Sequence, residues 1–390
     1  MPSSKGCSRR PRLPASTLDE GKDPMTESTA RPGACRFLDE TLARTLAPYT
    51  PGEQPKDVAD LLKLNTNENP YPPSPQVVSA LAAQDPADAR LYPDPEATSF
   101  KQALSETFGR PTSWFSVGNG SDELLAMSFL AFAGQGIAFP DVTYGFYPTL
   151  AGLFGRKVRI VALHEDFTWS PDDYHGIRET VVIPNPNAPT GIAAPLDDVR
   201  ALLAQDADRL VIMDEAYVDF GAASAVSLLD DFDNLLVLRT MSKSRSLAGA
   251  RIAFSLSNPE IARVLEAVRF SFNPYNLDRA ALVAGAAACR DAAYFEQTRE
   301  RVMATRERTA SALRGLGCTV LPSAANFLFV RPPAAVSAPR YVSQLRERGI
   351  IVRYFNAPRT SGHVRVSIGL PQDMDRFIAA SAEIFDRKDA

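Results

Sequence analysis

The chain reads as an α/β protein. From Leu61 onward, short β-prone apolar runs each end in a polar or glycine-containing cluster, and segments of helical periodicity separate them. That alternation builds a sheet flanked by helices. After Pro274-Tyr275 the texture changes, which points to a second, smaller α+β domain. A length of 390 residues can hold both.

Four runs carry most of the argument. Phe115 to Val117 precede Gly-Asn-Gly-Ser-Asp-Glu, and Val181 to Ile183 precede Pro-Asn-Pro-Asn-Ala-Pro-Thr-Gly. Leu210 to Met213 precede Asp-Glu-Ala-Tyr, and Leu235 to Leu238 precede Arg-Thr-Met-Ser-Lys-Ser. Ligands of open α/β sheets sit outside the carboxyl ends of the strands, so the four clusters could converge on one small-molecule site. Farther on, the Ala-, Arg- and Glu-rich stretch Leu277 to Arg314 reads as one or two long helices. Strands are expected over Ala325 to Val330, Ile350 to Tyr354 and Val364 to Ile368.

Composition removes several function classes. The net charge of −4, with 45% hydrophobic and 23% charged residues, argues against nonspecific nucleic-acid or membrane-surface binding. The longest uncharged apolar stretch, Leu124 to Pro140, is interrupted by Gly134, Gln135 and Gly136. It stops short of the roughly 20 residues a membrane helix needs. Cys7, Cys35, Cys289 and Cys318 show no C-x-x-C spacing, and His164, His175 and His363 form no H-x-x-x-H pair. Neither a disulfide framework nor a metal site is expected, and a reducing cytoplasm fits best. Residues 1–36 are rich in Pro, Ser, Arg and Gly, lack an apolar period and carry no signal-peptide core. They read as a disordered extension, and Met25 could be the natural start.

Several clusters carry chemistry. Gly118-Asn119-Gly120-Ser121-Asp122-Glu123 puts small residues at a helix start, where free N–H groups make an anion site; an ordinary capped loop has the same appearance. Asp214, the first polar residue after an apolar strand, is placed to face a cationic partner, whereas Glu215 reads as a solvated strand-end acid. Lys243, just past another strand, can serve as a Schiff-base amine or sit on the surface. Ser242 and Arg251 can both bind phosphate oxygens. Taken together, a phosphate cradle, a strand-end Asp and a strand-end Lys are what pyridoxal 5'-phosphate needs from a protein.

From about Phe37 to the C-terminus the sequence resembles the fold type I pyridoxal-phosphate aminotransferases and, among them, the histidinol-phosphate aminotransferases. The resemblance rests on Pro48-Tyr49-Thr50-Pro51-Gly52, Leu64-Asn65-Thr66-Asn67-Glu68-Asn69-Pro70-Tyr71-Pro72, Gly118 to Glu123, Pro140-Asp141-Val142-Thr143-Tyr144-Gly145-Phe146-Tyr147, Asp214-Glu215-Ala216-Tyr217, Ser242-Lys243 and Val364-Arg365-Val366-Ser367-Ile368-Gly369. It implies a large domain over 66–275, with a mostly parallel seven-stranded sheet flanked by helices. It also implies a small α+β domain from 37–65 and 276–390.

By the same resemblance Lys243 would hold the cofactor as a Schiff base and, once freed, move the proton between Cα and C4′. Asp214 would pair with the pyridinium nitrogen, Tyr217 would hydrogen-bond the phenolic oxygen and Tyr144 would stack on the ring. Gly120, Ser121, Asp122, Ser242 and Arg251 would hold the phosphate, and Tyr71 would reach the partner subunit's cofactor across a homodimer interface. Arg365 matches the arginine that binds an anionic substrate group, Arg353 and Tyr49 match positions of phosphate recognition, and Asn326 lines the pocket. One departure stands out. The family usually has Asn immediately before Pro-Thr-Gly, where this chain has Ala188. Asn187 is expected to take over its hydrogen bond to the ring oxygen, unless Tyr217 carries it alone.

The expected activity is transfer of an amino group between histidinol phosphate and 2-oxoglutarate in histidine biosynthesis. An aromatic amino-acid aminotransferase and a threonine-phosphate decarboxylase share the cofactor residues and are the alternatives. A non-catalytic ligand-binding protein of the same fold is the remote one.

Overall fold

The computed structural model describes residues 37, 39–55 and 60–386; the expected extension over 1–36 lies outside the described residues. The strands are β1 (Leu62–Leu64), β2 (Phe115–Asn119), β3 (Ile137–Pro140), β4 (Val158–Val161), β5 (Thr180–Pro184), β6 (Val211–Asp214), β7 (Leu235–Thr240), β8 (Ile252–Ser257), β9 (Thr319–Val320), β10 (Phe327–Arg331), β11 (Ile350–Tyr354) and β12 (Val364–Ser367). The helices are α1 (Glu40–Thr45), α2 (Pro75–Ala82), α3 (Thr98–Phe108), α4 (Ser121–Phe132), α5 (Phe146–Leu153), α6 (Leu196–Ala204), α7 (Pro259–Phe272), α8 (Arg279–Arg290), α9 (Ala292–Gly315), α10 (Ala338–Glu347) and α11 (Pro371–Asp386).

Seven strands form one sheet in the order β2-β8-β7-β6-β5-β3-β4, in which only β8 runs against its neighbours. Strands β5 to β8 are buried on both faces, which is why they read as continuous apolar runs. Alternate residues still separate cleanly. Val181, Ile183, Val211, Met213, Leu235 and Val237 pack with Phe100 and Leu104 of α3. Val182, Ile212, Leu236 and Leu238 pack with Leu124 and Leu125 of α4 and Leu265 of α7. The stretch Leu124 to Pro140 is most of α4 followed by β3, and among the described residues no helix is long and apolar enough to cross a membrane.

Five strands form the second sheet, β1-β11-β12-β10-β9. Val302 and Leu313 of α9, Tyr341 and Leu345 of α10, and Met374 and Phe377 of α11 cover it. The stretch expected as one or two long helices is two, because Asp291 ends α8 and its carboxylate accepts from Tyr294 N, 3.4 Å away, at the start of α9.

The packing divides the chain differently from the expected boundary at 275/276. The Ala281, Leu282, Ala284 and Ala288 side chains of α8 lie in the same core as Phe100 of α3 and Ile252 of β8. The small face of α8 permits this, since a Cβ on Gly285 would sit 3.0 Å from the Phe100 ring. The change of core therefore falls between α8 and α9. At the other end of the chain β1 joins the smaller sheet by pairing with β11, whereas α1 lies against α5 of the larger one.

Candidate active site

Strand register brings the polar clusters together. In the order β2-β8-β7, Asn119 pairs with Ile252 and Thr240 with Ala253, so Gly120, Arg251 and Ser242 emerge side by side. Gly120 caps α4 at φ +82°, a backbone that favours glycine, and its bare Cα leaves room for the Arg251 guanidinium beside it. Ser121 and Asp122 open the helix. The Asp122 carboxylate accepts from the Tyr144 hydroxyl at 3.0 Å and lies 3.4 Å from Arg251. Ser242 is buried, with its hydroxyl 2.9 Å from that of Thr240.

On the next strand, β6, Asp214 pairs with Pro184 of β5 and Leu238 of β7, which centres the acid between the Asn185 and Lys243 loops. Asp214 is buried and accepts from the Tyr147 hydroxyl at 2.8 Å and from Ala216 N at 3.2 Å. Burial pushes its carboxyl up to about 6, and Asp122 adds to the rise against those two hydrogen bonds. Among the described residues no basic side chain pairs with it. Lys243 donates from Nζ to the Thr66 carbonyl at 3.3 Å and lies 5.8 Å from the centre of the Tyr217 ring.

The smaller sheet contributes cations. Arg353 of β11 and Arg365 of β12 stand directly opposite each other, and both guanidiniums lie over the Phe355 ring, at 5.6 and 5.4 Å. Like charges at opposed positions cost stability, so the pair calls for an anion. Burial depresses the Arg365 pKa, with Arg353 pushing the same way and Tyr217 opposing. Tyr49 borders the pair, its ring 6.1 Å from Tyr144 and 5.6 Å from Phe146; burial raises its hydroxyl pKa while Arg353 and Arg365 lower it. Asn326 is buried, with Nδ2 donating to the Asn67 carbonyl at 3.0 Å and Oδ1 unpartnered.

Two expectations meet a different geometry. Both N–H bonds of the Asn187 amide are engaged within its own neighbourhood, with Val142 O at 3.0 Å and Thr190 Oγ1 at 3.1 Å. None remains for a ring oxygen, and Ala188 packs in an apolar cluster with Ala325, Phe327 and Tyr217. Glu215 is not a solvated acid. It is buried 3.2 Å from Arg239 and accepts from Ser224 and Ala225, while Arg239 also pairs with Asp219. The Ser244 hydroxyl donates to Asp219, so this network braces the loops that carry Asp214 and Lys243 from behind. Tyr71 packs against the smaller core with its ring 5.8 Å from Arg301.

The sequence reading left Asn67, Asn69, Tyr147 and Phe355 without roles. Asn67 and Asn69 lie in the Leu64 to Pro72 run and Tyr147 ends the Pro140 to Tyr147 run, so their positions were on view; their partners were not. Asn67 Nδ2 donates to the Tyr217 hydroxyl at 3.0 Å, and Asn69 Nδ2 to the Lys243 carbonyl at 2.9 Å.

The profile of aminotransferases class I and II matches residues 59–380. The chain belongs to this family. It is 48% identical over 359 residues to a histidinol-phosphate aminotransferase of Acinetobacter baumannii, covering 91% of this chain and 98% of that one. It is 49% identical over 340 residues to histidinol-phosphate aminotransferase 2 of Dechloromonas aromatica, covering 86% and 95%. The crystal structure of histidinol-phosphate aminotransferase from Sinorhizobium meliloti in complex with pyridoxal-5'-phosphate superposes with a TM-score of 0.76 at 28% identity, covering 83% of this chain and 90% of that one. The fold is therefore fold type I, and this aminotransferase is pyridoxal-phosphate-dependent. Its residues fit the group. Asp214 is buried without a cation and suits a pyridinium, Gly120 leaves a small-residue turn beside Arg251, and the Lys243 amine lies in the same cleft against Thr66 and Tyr217.

Proposed function

We propose that this aminotransferase moves an amino group between histidinol phosphate and 2-oxoglutarate, the reaction of histidine biosynthesis. The opposed pair Arg353 and Arg365 carries the reading. Two adjacent guanidiniums answer a phosphate dianion better than a single carboxylate, and planar forks bind phosphate oxygens two at a time. Tyr49, at the edge of the pair, supplies a further donor and an apolar ring for the heterocycle.

When bound, pyridoxal phosphate supplies an electron-withdrawing ring that stabilises negative charge at the substrate Cα. Asp214 keeps the ring nitrogen protonated, and its environment explains how: a carboxylate that burial has destabilised gains most from a cation at contact. Tyr217 would donate its hydroxyl hydrogen to the phenolic oxygen without help from Asn187. At the start of α4, behind Gly120, Ser121 and Asp122 would hold the phosphate through backbone N–H groups, Ser242 and Arg251 through their side chains, and Tyr144 would cover the ring. Lys243 Nζ would hold the cofactor and, when free, would move the substrate's Cα proton. Asn326 borders the substrate.

The same reading makes the enzyme a cytoplasmic homodimer in which Tyr71 reaches the partner's phosphate. An exposed stack of Tyr92 on Tyr275, 4.5 Å between centres, supports a surface that another subunit covers. A sedimentation mass of one chain with full activity would remove this part.

The visible spectrum of the loaded enzyme tests the substrate. Histidinol phosphate should convert the lysine-bound form to the amine form at far lower concentration than phenylalanine, and Lys243→Ala should not respond. Conversion by phenylalanine first, or carbon dioxide release from threonine phosphate, would replace the substrate and leave the cofactor in place.

A further inference from the structure

Three consecutive residues after β1 each touch a different site residue. The Asn65 carbonyl accepts from Arg365 Nη2 at 2.9 Å, the Thr66 carbonyl from Lys243 Nζ at 3.3 Å, and Asn67 Nδ2 donates to the Tyr217 hydroxyl at 3.0 Å. This segment leaves the smaller sheet and passes between the substrate arginine and the cofactor residues of the larger one.

Asn67 is the most constrained of the three. It is buried, holds φ +56°, and its carbonyl accepts from Asn326. The Ser367 hydroxyl accepts from Asn67 N at 2.8 Å and donates to Asn67 Oδ1 at 2.9 Å. That second bond orients the amide, with oxygen toward Ser367 and nitrogen toward Tyr217, to which one of its hydrogens is donated. Because the Tyr217 oxygen already accepts from Asn67, its own hydrogen is left to be donated elsewhere. Ala188 and Phe327, the apolar neighbours of Tyr217, offer no competing acceptor from their side chains.

We propose that Asn67 is a positioning residue that aims the Tyr217 hydroxyl hydrogen at the cofactor's phenolic oxygen and strengthens that bond. Ser367, two residues beyond Arg365 on the same face of β12, holds it in place. Ser367 thereby links the strand that grips the substrate anion to the tyrosine that tunes the cofactor. The inference rests on the role given to Tyr217 above.

The test is the pH midpoint at which the visible absorption of the loaded enzyme changes. Lys243, Arg365, Tyr49, Tyr144 and Tyr147 also face Tyr217, so neutral substitutions are used. A hydrogen bond to the phenolic oxygen draws off charge that would otherwise hold the imine proton, so weakening it raises the midpoint. Asn67→Gly keeps the left-handed backbone and should raise the midpoint by ~0.5–1 unit, the worth of one net hydrogen bond. In a Tyr217→Phe background the same change should add nothing. An unmoved midpoint in Asn67→Gly, or an equal rise with and without the tyrosine, overturns the proposal. Should Asn67→Gly fail to fold, Ser367→Ala decides alone, with a smaller rise expected and an unmoved midpoint overturning it. A midpoint that Tyr217→Phe itself leaves unmoved would instead remove the role of Tyr217.

Discussion

The two sheets present charge to the cleft by different devices. In the seven-stranded sheet each functional group sits at a strand end, on a loop whose start is fixed by buried backbone pairing, and each has its own site. In the five-stranded sheet Arg353 and Arg365 lie within strands, in register, and share one face. Strand ends give separate contacts to separate parts of a ligand, as a cofactor with a ring, a phosphate and an aldehyde requires. A cross-strand pair concentrates two charges on one point. On the proposed function the larger sheet would serve the common chemistry and the smaller the choice of substrate, and mutations should separate the two.

Lys243→Ala should have the largest effect, lowering turnover by at least ~10³-fold with every amino donor, because the group that moves the proton is gone. Arg353→Ala should cut kcat/KM for histidinol phosphate by ~10²-fold, the cost of leaving one anion contact unmade, while phenylalanine changes little. Steady-state kinetics with both donors checks the contrast. Equal losses for the two donors would deny the smaller sheet its selective role.

Asp214→Asn sharpens the comparison from the stability side. With its folded pKa near 6, raised by burial, Asp214 binds its proton more tightly in the folded state than in the unfolded chain. The resulting cost to the cofactor-free protein is absent below the unfolded carboxylate pKa, grows as pH rises toward 6 and is complete above it. Asp214→Asn should therefore stabilise the cofactor-free protein by about 2–3 kcal/mol at pH 8 and by little near pH 4, while weakening cofactor binding. Denaturant melts at the two pH values check it.

What could be read in advance follows the same division. Gly120, Asp214, Ser242 and Lys243 stand next to apolar strands, so their placement needs only strand direction, which sequence carries. The Arg353 and Arg365 pairing needed the register of two strands with a loop between them. Asn187 misled because local sequence places it beside the site but does not show where its amide points; Val142 and Thr190 decide that. Asn67 meets Ser367 across 300 positions of chain, and no local pattern announces such a contact. Glu215 read as solvated because its partner Arg239 lies on the neighbouring strand β7.

The smallest effect belongs to a residue that joins the two regions. Arg359, on the loop between β11 and β12, donates to the Asp141 carboxylate at 2.7 Å and to the Leu163 and His164 carbonyls of the larger part. Asp141 lies three residues before Tyr144, and Arg359 six after Arg353. The ion pair is part exposed, with side chains at 32% and 23% accessibility, so it contributes only ~1 kcal/mol. Arg359→Ala should lower kcat/KM a few-fold for all amino donors alike, since it loosens the relation between the parts and removes no anion contact. A loss confined to phosphorylated donors would make Arg359 a member of the substrate set, and the selective charge would then extend beyond the paired strands.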